Sequence, residues 1–113
     1  MIEKTVLDYL TDALDGVPVY MENPETRPDL YVVIEKTGSG KKNHICSATI
    51  AVQSYAPSMY EAAELNEYVK DAMENLTELG SVSRCALNSD YNYTDTTSKN
   101  YRYQAVFDVI FYD

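Results

Sequence analysis

Apolar and polar positions alternate along this chain with two different periods, and the switches between them mark its elements. From Glu3 to Leu14 the apolar residues Val6, Leu7, Leu10, Ala13 and Leu14 recur at helical spacing, with Lys4, Asp8 and Asp12 elsewhere on the cylinder. That spacing predicts an amphipathic helix. Gly16 offers the stop that helices favour, and Pro18 follows where a chain leaving a helix often carries one. A short edge strand is expected from Val17 to Glu22, then a loop bracketed by Pro24 and Pro28. Leu30 to Lys36 is rich in β-branched and aromatic residues and predicts a strand. In Ile45 to Tyr55, Cys46, Ala48, Ile50 and Val52 alternate with Ser47, Thr49, Ala51 and Gln53, which predicts its antiparallel partner. Thr37 to Asn43 is then the expected hairpin tip, with Gly38 and Gly40 supplying unusual backbone angles.

Ser58 opens a second, longer helix. With Glu61 three residues on it makes a capping box, in which the hydroxyl takes a free backbone N–H and the carboxylate returns to the cap residue. Ala62, Leu65, Val69, Ala72, Leu76 and Leu79 follow on one face, and Gly80 is the expected close. Stepping ~100° per residue, Glu64, Glu67, Asp71, Glu74 and Glu78 form a second stripe roughly 150° away, an acidic outer face. The C-terminal third predicts a hairpin turning near Thr97, which would oppose Tyr93 to Tyr101, Tyr91 to Tyr103, Leu87 to Phe107 and Cys85 to Val109 on one face. The expected fold is α+β: an antiparallel or mixed sheet of about five strands against two helices, in the order α-β-β-β-α-β-β.

Length and composition place all 113 residues in one domain with one core. Apolar residues make up 45% and charged residues 24%, so neither disorder nor a fibrous repeat is indicated. Neither secretion nor membrane insertion is expected: Asp8, Asp12 and Asp15 interrupt any leader, and the longest apolar run is Leu30 to Ile34. The formal charge of −9 argues against a domain that grips nucleic acid, whose affinity comes mainly from Lys and Arg displacing counterions. Cys46 and Cys85 form no C-x-x-C and fit buried free thiols in a reducing compartment.

No catalytic or cofactor-binding apparatus is legible, and no cofactor or metal is expected. Thr37 to Lys42 superficially suggests a phosphate loop, but Glu35 and Lys42 stand where that motif needs Gly and Ser or Thr. His44, the only histidine, has no local partner and reads as a hairpin residue. Asp90, Asn92 and Asp95 lack the Gly and closing Glu of a calcium loop. The Asn75 and Asn92 sequons are coincidental without secretion.

Eleven tyrosines are unusual in a chain of this size, and two uses compete: platforms for single-stranded nucleic acid, or interface and sheet packing. The missing positive groove favours packing, which makes Tyr91, Tyr93, Tyr101 and Tyr103 candidate interface residues. Lys36, Lys41 and Lys42 put three of nine basic residues into one stretch. They are either lysines that keep a turn soluble or contacts for the acidic face of a neighbour. The acidic stripe is likewise either a solvated face or a functional one.

Taken together, the element order and the aromatic last strand, Tyr101 to Tyr112, resemble the tail terminator proteins of long-tailed bacteriophages and related prophage minor capsid proteins. The resemblance spans the whole chain: a short helix ending at Gly16, a hairpin through Gly38 and Gly40, a long helix from Ser58 and a terminal aromatic hairpin. It implies a non-enzymatic virion protein, assembled in the host cytoplasm. Such a protein forms a hexameric ring on the tail tube, stops tube growth and joins the tail to the head. Its implied partners are further copies of itself, the tail tube protein and a head-completion or neck protein. DNA would pass through the lumen without specific binding. Another neck or connector component built on this layout is an alternative, and an acidic inhibitor that mimics nucleic acid is the alternative from a different class.

Overall fold

The amphipathic N-terminal segment forms α1, Ile2–Ala13, in the computed structural model, which describes residues 1–98 and 100–112. Ile2, Val6, Leu10 and Leu14 are its buried side. Ile2 extends the expected stripe by one turn, whereas Ala13 is exposed and Leu7 half-buried. Gly16 has φ +84°, the left-handed conformation in which a side chain is strained, and this lets the chain reverse into β1, Val19–Tyr20.

Four long strands and a second helix follow: β2 (Tyr31–Lys42), β3 (Ile45–Tyr55), α2 (Met59–Glu74), then β4 (Val82–Asn92) and β5 (Arg102–Tyr112). The five-stranded sheet runs β1-β2-β3-β5-β4. β1 is parallel to β2, with Val19 opposite Val32, and the other neighbours are antiparallel. The α+β class, the mixed sheet and the element order are those the residue periods predict.

Both helices cover the same face of the sheet. Val6 and Leu10 of α1 and Leu65, Val69 and Met73 of α2 pack into one core with Val32, Ile34, Ile50, Val52, Ala105, Phe107 and Val109. Each fully buried aliphatic side chain contributes about 1.5–3 kcal/mol relative to exposure. Tyr9 ties the helices together, its hydroxyl donating to the Ala72 carbonyl at 2.6 Å.

Three local expectations need correction. First, β2 does not stop at Lys36. It shifts register around Thr37 and continues to Lys42, so Gly38 and Gly40 are strand residues opposite Thr49 and Ser47. A Cβ at Gly40 would come within 3.1 Å of the Ser47 hydroxyl, a tight contact that the serine side chain would have to relieve. The turn is instead Asn43-His44, both with positive φ (53° and 67°), the two-residue geometry that suits the twist of a hairpin.

Second, α2 ends at Glu74 and not at Gly80. The Asn75 amide reaches back to the Asp71 carbonyl at 3.4 Å, and the chain tightens into a 3-10 turn, Leu76–Glu78, that keeps Leu76 buried. At the other end Ser58 caps as expected, its Oγ accepting the Glu61 N–H at 3.2 Å, while the Glu61 carboxylate takes the Ser58 hydroxyl at 3.3 Å.

Third, the C-terminal hairpin keeps the expected register only in its first half. Cys85 opposes Val109 and Leu87 opposes Phe107, but a bulge between Leu87 and Ser89 shifts the rest by one residue. Tyr91 therefore opposes Gln104 and not Tyr103, and the Tyr93 N–H donates to the Arg102 carbonyl at 2.9 Å, so Tyr93 does not pair with Tyr101. Side-chain satisfaction accounts for the slip. Asn88 donates to Asp108 at 3.0 Å, and Asp90 is turned to the helix side, where it receives the Asn66 amide at 3.1 Å and the Lys70 ammonium at 2.8 Å.

Candidate functional site

Three surfaces carry the residues that the sequence singles out, and alternation along the strands builds the first. Because the even-numbered residues of β3 face the helices, Gln53 and Tyr55 face away, together with Tyr31 and Val33 of β2 and Arg102 and Gln104 of β5. The bulge adds Tyr91 and Tyr93 to this helix-free face. It carries one continuous ladder across all five strands. Tyr31 stacks on Tyr55 with centroids 4.5 Å apart and planes 4° apart, and Tyr20 meets Tyr31 edge-on at 6.2 Å. Tyr55 donates to Gln53 at 2.9 Å, Gln53 donates to Gln104 at 2.9 Å, and Gln104 donates to the Tyr91 hydroxyl at 2.6 Å. The Arg102 guanidinium lies 4.5 Å from the Tyr93 ring centroid and 5.7 Å from that of Tyr55, and donates to the Tyr55 hydroxyl at 2.9 Å.

The tyrosines named from the sequence thus divide. Tyr91 and Tyr93 come together, edge to face at 5.9 Å, and remain exposed. Tyr103 lies on the helix side opposite Ser54, and Tyr101 offers its carbonyl to the Ala56 N–H. Sequence spacing does not single out Tyr20, Tyr31, Tyr55 or Arg102, and it is the register of β2 against β3 that sets Tyr31 opposite Tyr55 on a shared face. Rigid rings with polar tips suit contact with another protein. Burial raises the Tyr31 phenol above its ordinary pKa, an effect the Arg27 charge partly opposes. The ladder contains no histidine, cysteine or carboxylate to serve as nucleophile or base.

The second surface is the arm formed by the far half of the β2–β3 hairpin, where residues 35–45 are all exposed. Its lysines do not make one patch. By register Lys36 and Lys41 are on the helix side and Lys42 is on the open face, and Lys36 is 3.5 Å from Glu3 of α1. His44 sits in the turn.

The third surface is the helical layer. Glu64, Glu67, Asp71, Glu74 and Glu78 are all exposed, as expected of an acidic face, although Glu78 belongs to the 3-10 turn. Lys70 interrupts the stripe, held between Glu67 at 2.9 Å and Asp90 at 2.8 Å, and hydrogen bonds to Asp90 and Glu67 raise its pKa. Between α1 and α2 runs an open groove of about 530 Å³. Leu14, Leu65 and Ala72 supply apolar lining, Tyr68 stands beside them, and Asp15, Asp71 and Glu78 supply carboxylates. The Tyr9 phenol in this groove is raised by burial first and by the Glu78 charge second.

Among the described residues no group of three or more His, Cys, Asp or Glu is arranged to hold a metal, and no helix is long and apolar enough to cross a membrane. No protein-family model matches the chain, and no curated protein matches it.

Proposed function

We propose that this chain is a ring-forming structural protein of a bacteriophage tail, the subunit that caps the tail tube, ends its growth and presents a surface to the head. The observation that carries this reading is the separation of charge in a strongly acidic chain. Lys42 is exposed on the open face at the tip of the arm, and a carboxylate-rich helical layer lies on the other face of the sheet. A subunit with two unlike, complementary surfaces associates head to tail, and a head-to-tail contact whose rotation closes generates a ring. The open tyrosine face adds contact area at low entropic cost, and the acidic exterior disfavours adhesion to DNA passing through a lumen. The resemblance in element order and terminal aromatic hairpin points the same way and supplies the tail context.

Negative-stain microscopy of the purified protein at high concentration tests the reading. Closed rings of uniform subunit number are expected, and addition to growing tubes should produce tubes of limited length. A protein that stays monomeric at all concentrations and leaves tube length unchanged would overturn it.

A further inference from the structure

The groove between the helices and the tip of the arm are complementary in both chemistry and charge. The groove offers apolar walls, Leu14, Leu65 and Ala72, with Asp15, Asp71 and Glu78 around them, and neither Lys nor Arg lines it. Its volume of about 530 Å³ falls in the range of about 300–1,000 Å³ typical of sites that enclose a ligand. The arm tip offers the reverse. Ile45 is 48% exposed and Tyr112, opposite it in register, is 55% exposed, so two large apolar side chains stand together in water. Lys42 pairs with Ile45 across the hairpin and is exposed beside them. Because this tip is exposed, it is not seated in the groove of its own chain.

We propose that the tip of the β2–β3 arm, through Ile45 and Lys42, docks in the α1–α2 groove of a second copy of this chain. This deepens the ring reading and rests on it, since it assigns the two unlike surfaces of a head-to-tail contact. Ile45 is buried against the apolar wall, and Lys42 meets the carboxylates of Asp71 and Glu78. The charges orient the encounter and select the partner surface, while the buried apolar area holds it. Tip and groove are different parts of the subunit, so each copy gives one and receives one. Assembly then continues until it closes.

Two variants test this, each checked for native folding by circular dichroism. One disables the tip, Lys42→Glu with Ile45→Asp. The other disables the groove, Asp71→Lys with Glu78→Lys. Sedimentation velocity should show rings for the wild type and monomers for each variant alone. An equimolar mixture should give dimers and nothing larger, because one intact tip meets one intact groove and no further contact is left. If the tip variant fails to fold, Lys42→Glu alone replaces it and should weaken association at least about tenfold. Wild-type rings together with variants that still assemble, or with a mixture that stays monomeric, would overturn the docking and leave the ring reading standing. A wild type that never self-associates would overturn both.

Discussion

Removing one oxygen atom from either of two stacked tyrosines should change stability in opposite directions. Tyr31 and Tyr55 are 3% and 1% exposed, and their rings stack at 4.5 Å. Tyr55 donates to Gln53 and accepts from Arg102, both at 2.9 Å, whereas the Tyr31 hydroxyl is buried without a hydrogen-bond partner among the described residues. A buried polar group left unmatched costs about 1–3 kcal/mol, which Tyr31→Phe recovers. The void left by one oxygen, on the order of 12 Å³ at about 24 cal/mol per Å³, takes back only about 0.3 kcal/mol. Tyr31→Phe should therefore stabilise the protein by about 1 kcal/mol. Tyr55→Phe loses a neutral and a charge-assisted bond and should destabilise it by about 1.5–3 kcal/mol. Urea denaturation of the three proteins measures both, with an unchanged m-value showing that the compared states are the same. The pH dependence adds a second check. Burial holds the Tyr31 phenol above its ordinary value of 10.0 in the folded chain. Its contribution is therefore complete below pH 10 and lost as pH rises through the folded value, so Tyr31→Phe should flatten the alkaline decline. Tyr9 is raised in the same way, so some decline remains. Equal destabilisation by both substitutions would refute the reasoning, because it would mean that the Tyr31 hydroxyl has a partner such as an ordered water.

Ser58→Ala should cost about 1 kcal/mol by freeing the Glu61 N–H at the start of α2, and an unchanged denaturation midpoint would show that the cap is energetically idle. Both cysteines are free, Cys46 is buried, and burial pushes the Cys85 thiol from 9.0 to about 11, an effect the Asp108 charge reinforces. At pH 8 the Cys85 thiolate should thus be about a hundredfold scarcer than in an unperturbed thiol, and native-state labelling slow; rapid labelling of both thiols would contradict their placement. The same shift gives a stability contribution that is intact below pH 9.0 and lost as pH rises to about 11, visible as a difference from Cys85→Ala.

Local chemistry was sufficient where one residue or one repeat decides the outcome. The spacing from Val6 to Leu14, the alternation from Cys46 to Val52, the cap at Ser58 and the left-handed Gly16 each specify an element through contacts within a few residues. Together they determine the order of elements and the α+β class. Register and element ends depended on partners far along the chain. Gly38 and Gly40 are turn residues by propensity, yet β3 offers a strand to pair with, and Asn43-His44 can reverse the chain later. Sequence spacing alone gives Tyr91 and Tyr103 a shared face. Only tertiary structure sets the bulge that separates them, because it is stabilised by Asp90 reaching Asn66 and Lys70 on a helix about twenty residues upstream. The tyrosine ladder and the helical groove are products of the same kind. Their members come from five strands in one case and two helices in the other, and a one-residue slip that leaves every local preference intact would take the ladder apart.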